Sequence, residues 1–195
     1  FENNPYSYYK GIQAKIGDVE YKTLNAAVVA AQEGDTVVVV GDDATLSSAP
    51  INDNVRIVSD GDRTIKASYF DCKNKLIIGD GNSENGILTI DGNGGGRFVQ
   101  ASVTDGVIIN SDVAVKNFNG DANGVIKSNG TVTIDGATFE DISGTGFNVG
   151  YQGQIYLKGN VKINSDMKAY IDAGKTGVIN IDGTISGEGH IILDY

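Results

Sequence analysis

The sequence predicts an all-β protein: one right-handed parallel β-helix of about seven coils, with an amphipathic helix laid over its first coil. Three observations carry this. Ten short apolar runs are separated by Asp, Asn, Gly and Ser; the tetrapeptide TIDG at 89–92 and 133–136 returns as NIDG at 180–183; and AAQEGDTVVVV at 30–40 places a helical stretch directly before four consecutive valines. Twenty-seven glycines with two prolines and no tryptophan suit many short strands joined by tight left-handed turns.

Residues 1–22 read as an N-terminal linker and first strand, 23–34 as the capping helix, and 35–195 as the β-helix, all one domain. In the helix Leu24, Ala27, Val28 and Ala31 form one apolar stripe, Thr23 can cap its start and Gly34 can end it. The expected strands are TVVVV (36–40), VRIV (55–58), KLIIG (75–79), GILTI (86–90), GVIIN (106–110), TVTI (131–134), QIYL (154–157), VKI (161–163), GVINI (177–181) and HIIL (190–193). Asp91, Asp135 and Asp182 of the I-D-G turns stand 44 and 47 positions apart, and INSD recurs at 109–112 and 163–166. That spacing implies a coil of about 23 residues, within the range of solenoid repeats. Such a stack would be about 34 Å long at one strand spacing per coil, and right-handed because parallel crossovers are. An antiparallel β-sandwich is the alternative for short strands with turn signals. The helix answers a physical need, because the end of a β-helix exposes both an apolar core and unpaired backbone groups. HIILDY ends in a strand without a cap, so the natural chain is expected to continue, or another chain or domain to cover that edge.

Composition excludes whole classes of partner. Fifteen basic against twenty-five acidic residues give a net charge of -10 and a pI near 4.4, which opposes nucleic acid and anionic membrane surfaces. The valine run Val37–Val40 is too short to span a bilayer. A start at Phe1 without a charged-then-apolar leader suggests a mature or excised piece. Cys72 is the single cysteine and reads as a buried thiol.

The segment AKIGDVEYKTLNAAVVAAQEGDTVVVV (14–40) resembles the opening of pectin-lyase-like right-handed β-helix domains. Its Ile16–Leu24 portion, IGD-x-x-Y-x-TL, is similar to modules of large cell-surface proteins of Gram-positive gut bacteria, and LTIDGNGGGRFV (88–99) and TVTIDGATFEDISG (131–144) resemble coils of the same group. The resemblance implies an extracellular, bacterial cell-surface setting, with neighbouring domains in a larger chain. It leaves activity open, because one fold carries enzymes, adhesins and spacers.

Enzymes of that superfamily cut acidic polysaccharides, and their site patterns can be sought here. Arg56, Arg63 and Arg97 are scattered, and Arg97 alone lies close to a carboxylate-rich turn. Asp42-Asp43, Arg63-Thr64-Ile65-Lys66 and Gly189-His190-Ile191 match neither the spacing nor the order of a hydrolase site. No catalytic residue is assigned. Asp91, Asp135 and Asp182 are candidates for an acidic ligand-binding column, against the reading of Asp-Gly as simple turn chemistry. No cofactor is implied, but Ca²⁺ has two candidate loops: Asp80, Asn82, Glu84 with Asp91, and Asn119, Asp121, Asn123. The first lacks glycine at the sixth position and the second lacks a closing acid. GNGGGR (92–97) fails the phosphate-cradle spacing and reads as a corner between coils. His190 reads as a core or edge residue. Tyr69 and Tyr151, with Tyr6, Tyr8 and Tyr9, are candidates for stacking on sugar rings or for packing. The expected function is therefore non-catalytic adhesion or recognition of an extracellular glycan or host-surface ligand, with a polysaccharide lyase or glycoside hydrolase, or a passive stalk, as rivals.

Overall fold

The computed structural model describes residues 11–104, 106–172 and 176–194. Tyr6, Tyr8 and Tyr9 lie outside them. An antiparallel hairpin, β1 (Ala14–Ile16) and β2 (Val19–Tyr21), leads into α1 (Leu24–Ala30), after which the chain winds into a parallel β-solenoid of about six turns. The first coil holds β3 (Thr36–Val39) and β4 (Ala44–Leu46); the second holds β5 (Val55–Ser59), β6 (Arg63–Ala67) and β7 (Phe70–Cys72). The third holds β8 (Leu76–Ile78), β9 (Leu88–Asp91) and β10 (Val99–Ala101), and the fourth β11 (Val107–Ile109), β12 (Val113–Gly120) and β13 (Ile126–Ser128). The fifth is β14 (Thr131–Asp135) and the long β15 (Thr138–Val149). The sixth is β16 (Gln154–Lys158), β17 (Asn160–Ile163) and β18 (Met167–Ile171), and the seventh β19 (Val178–Ile181), β20 (Thr184–Ser186) and β21 (Ile191–Asp194).

The first strand of every coil stacks on face A, in the order β19-β16-β14-β11-β8-β5-β3, with β1 and β2 added beyond β3. The other two faces, B and C, form one twelve-stranded sheet because β15 runs through both without a break. Like residues lie above like: Val37, Ile57, Ile78, Ile109, Ile134 and Leu157 occupy one buried ladder on face A. Faces B and C add Phe70, Phe98, Phe118, Phe139 and Phe147, all fully buried, with Phe139 and Phe147 edge to face at 5.5 Å. The coil is not uniform. Its register offset on face A is 20 residues from Val37 to Ile57 but 31 from Ile78 to Ile109, because the third coil carries two inserted corners, GDGNSENG (79–86) and GNGGGR (92–97).

The N-terminal cap divides its work between two elements. The exposed edge of β3 is paired by β1, antiparallel, with Ala14 opposite Val39 and Ile16 opposite Val37, while α1 buries Leu24, Ala27 and Val28 over the core. Thr23 caps α1, its Oγ1 accepting from the Ala26 N–H at 3.1 Å. The helix ends at Ala30, short of Gly34, because the Asp35 carboxylate accepts the Gln32 N–H at 2.8 Å and begins a turn in which Gly34 takes φ +81°. At the other end no described strand stacks on the seventh coil, and Ile181, Ile185, Ile192 and Leu193 are exposed there. Among the described residues no helix is long and apolar enough to cross a membrane.

Candidate functional site

The three I-D-G aspartates do not form one column. Asp91 ends β9 on face B, beside Lys66 and Lys116 in register, whereas Asp135 ends β14 on face A, opposite Lys158. Asp182 follows β19, its N–H bonded to Leu157 O, so Lys158 stands between the two face-A aspartates. The 44-residue interval is thus one coil plus two faces, and only the 47-residue interval spans two whole coils. The INSD copies are likewise displaced: Ile109 lies in β11 on face A and Ile163 in β17 on face B. Each tetrapeptide reports a way of turning a corner rather than a fixed place in the coil.

The calcium candidates have local work. The Asp80 carboxylate accepts from Asn82 N at 2.8 Å and Asn85 Nδ2 at 3.0 Å, and Asn82 Oδ1 accepts from Glu84 N at 3.1 Å, closing a single 3₁₀ turn at Ser83–Asn85. The Asn82 N–H in particular holds the Asp80 carboxyl below its ordinary pKa. Asp91 sits at the opposite end of β9 from that turn and accepts from Asn93 N and Asn117 Nδ2. Asn119 Oδ1 accepts from the Ser143 hydroxyl, and Asn123 Oδ1 from Lys127 Nζ. Among the described residues no three His, Cys, Asp or Glu side chains come together as a metal-binding group. His190 lies on the last coil, its ring nitrogen 2.8 Å from Asp166, which keeps the Asp166 carboxyl low. Tyr151 is exposed at the corner between faces C and A.

What the fold does bring together is Tyr69, Arg97 and Asp121, from the corner between faces B and C in three successive coils. They line a cleft of about 420 Å³ with Gly92, Gly95 and Gly96 on its floor and wall. The glycine corner is ordered by its own backbone: Asn93 N–H bonds the Asp91 carboxylate, Gly94 N–H bonds Asn117 O, and Gly95 N–H bonds Gly92 O. A side chain on Gly92 would enter the ring of buried Phe118, so glycine there lets the loop lie flat against the core. The loop delivers Arg97 to the cleft. Its guanidinium carbon is 4.7 Å from the Tyr69 ring centroid, a cation–π distance, and its Nη2 is 3.4 Å from Asp121 Oδ2. Its Nε is buried and has no hydrogen-bond partner among the described residues. Asp121 Oδ1 accepts the Asn123 N–H at 2.7 Å.

This arrangement offers an aromatic face, guanidinium donors, a carboxylate acceptor and open backbone in one shallow concavity. Such groups suit hydrogen bonding and ring stacking with a hydroxyl-rich ligand. Tyr69 and Asp121 were sequence candidates for different reasons, and Arg97 was expected to be the one arginine near carboxylates, but Arg63 is engaged as closely, with its Nε 2.8 Å from Asp60 and its Nη1 3.7 Å from Asp42. Their convergence leaves no mark in the sequence, since Tyr69, Arg97 and Asp121 each belong to a different coil. Comparison of the chain with protein-family models, with curated proteins and with solved structures found no match.

Proposed function

We propose that this chain is a non-catalytic recognition module of an extracellular bacterial surface protein, in which the Tyr69–Arg97–Asp121 cleft binds glycan. The observation that carries the proposal is the stacking of Arg97 on half-exposed Tyr69, with one guanidinium edge engaged by Asp121 and an Nε left unpartnered. A stacked, ion-paired cation is a poor proton-abstracting base and a good fixed donor. The adhesive setting, and membership of the pectin-lyase-like surface modules, rest on the resemblance of residues 14–40, 88–99 and 131–144 and form part of the same proposal.

The test is native electrophoresis of the purified domain through gels containing pectic, mucin-type and plant-wall polysaccharides, with and without Ca²⁺, stained for both protein and polysaccharide. Retardation without clearing, lost in Tyr69→Ala, is the expected result. A cleared zone would replace this reading with a lyase or hydrolase, and migration unchanged across the panel would favour a stalk.

A further inference from the structure

The Tyr69 cleft does not stand alone on its corner. A second cleft, of about 380 Å³, is lined by Ala122, Thr145, Tyr170 and Asp194, and its Ala122 is the chain neighbour of Asp121 in the first. Tyr69, Arg97, Asp121, Thr145 and Tyr170 come from five successive coils, so the two tyrosines are about 19 Å apart along the axis at one strand spacing per coil. The two ends repeat a composition. Tyr69 and Tyr170 are 37% and 38% exposed, and each lies beside an aspartate held by a cation: Arg97 with Asp121 at 3.4 Å, Lys168 with Asp194 at 3.1 Å.

We infer that the paired clefts form one groove, parallel to the solenoid axis, that binds an uncharged linear oligosaccharide spanning both tyrosines. This deepens the glycan reading above and rests on it. The distance is that of a short chain of sugars, not of one ring. The charge pattern selects against acidic chains: Arg97 and Lys168 are already paired, and Lys127, the other cation on this face, donates to Asn123 Oδ1 at 2.9 Å and shares its ladder with Asp71. A uronate carboxylate would therefore meet Asp121 and Asp194 on a chain of net charge -10, with Arg97, Lys127 and Lys168 each already engaged. Neutral hydroxyls, which both donate and accept, match alternating cationic donors and carboxylate acceptors, while the tyrosine faces cover apolar ring surface.

The experiment uses affinity electrophoresis with four neutral polymers (mixed-linkage β-glucan, xyloglucan, galactomannan, pullulan) and two acidic ones (polygalacturonate, alginate). Calorimetry follows with mono- to hexasaccharide fragments of the best neutral polymer. At least one neutral polymer should retard the protein more than either acidic one, and affinity should rise about tenfold or more from single sugar to long fragment. Tyr170→Ala should remove most of that gain, and Tyr170→Phe, which keeps the ring, should preserve it. An acidic polymer binding more tightly than every neutral one, a monosaccharide binding as well as the longest fragment, or full binding by Tyr170→Ala would overturn the groove while leaving a glycan site at Tyr69. Failure of all six polymers would overturn both.

Discussion

The guanidinium carbon of Arg97 stands 4.7 Å from the centre of the Tyr69 ring, one coil away, while its Nε is buried without a partner among the described residues. A buried donor left unsatisfied costs stability, so evolution of a stable scaffold alone would favour an apolar side chain there. Arg97→Met should therefore keep the melting temperature equal to or above that of the parent, a change within about 1 kcal/mol, while lowering polysaccharide retardation in the gel. Thermal denaturation and electrophoresis on the same variant check the two halves; a large loss of stability would make Arg97 a structural residue.

Gly92 faces the opposite constraint. A methyl group at this position would enter the ring of Phe118, which is fully buried between coils. Gly92→Ala should destabilise the fold by about 1–3 kcal/mol through overpacking, measured by urea unfolding, and should weaken ligand binding because the displaced loop carries Arg97.

Asp112 is 3% exposed, and its carboxylate accepts from Asp80 N at 3.0 Å and Gly81 N at 2.8 Å across to the preceding coil. Asp112→Ala leaves both N–H groups without that acceptor. The expected loss is about 1–3 kcal/mol, with faster amide exchange at Asp80 and Gly81 as the local readout.

The Asp80 carboxyl titrates below its ordinary value, chiefly because the ionised form accepts the Asn82 N–H. A lowered folded-state pKa gives stability that is present above the unfolded pKa and is lost as pH falls through the folded one. Asp80→Asn should accordingly melt lower than the parent at pH 7, and the gap should close as pH drops below about 4. Parallel melting curves at several pH values test this.

Burial pushes the Cys72 thiol up to about 12, with its sulfur 2.8 Å from Asn74 O. A maleimide should leave Cys72 unlabelled in the folded protein at pH 8 and label it once denaturant opens the second coil.

The sequence was most informative where burial was deepest. The strands of face A announce themselves as continuous apolar runs, such as Val37-Val38-Val39 and Leu76-Ile77-Ile78. Strands of faces B and C interrupt core residues with outward polar and charged ones, as in Arg63-Thr64-Ile65-Lys66-Ala67, which hides β6, β12, β15 and β18, while β4, β7, β10, β13 and β20 are hidden by a length of only three residues. The hairpin of β1 and β2 was missed because Gly17 and Asp18 join two runs of only three residues. The site was legible only as separate letters. Tyr69, Arg97 and Asp121 lie 28 and 24 positions apart, and their meeting depends on the lengthened third coil, whose two insertions break the regular period.

The most direct test of glycan recognition at this corner is an amide chemical-shift titration of the whole domain with fragments of the polysaccharide that retards it. Recognition through the Tyr69 cleft predicts shifts concentrated at Gly95, Gly96, Arg97, Asp121 and Ala122, with face A silent. Shifts gathered instead at Ser48, Ala49, Ile51, Lys73 and Asn74, which line another cleft of about 410 Å³, or on the outer surface of face A, would contradict it.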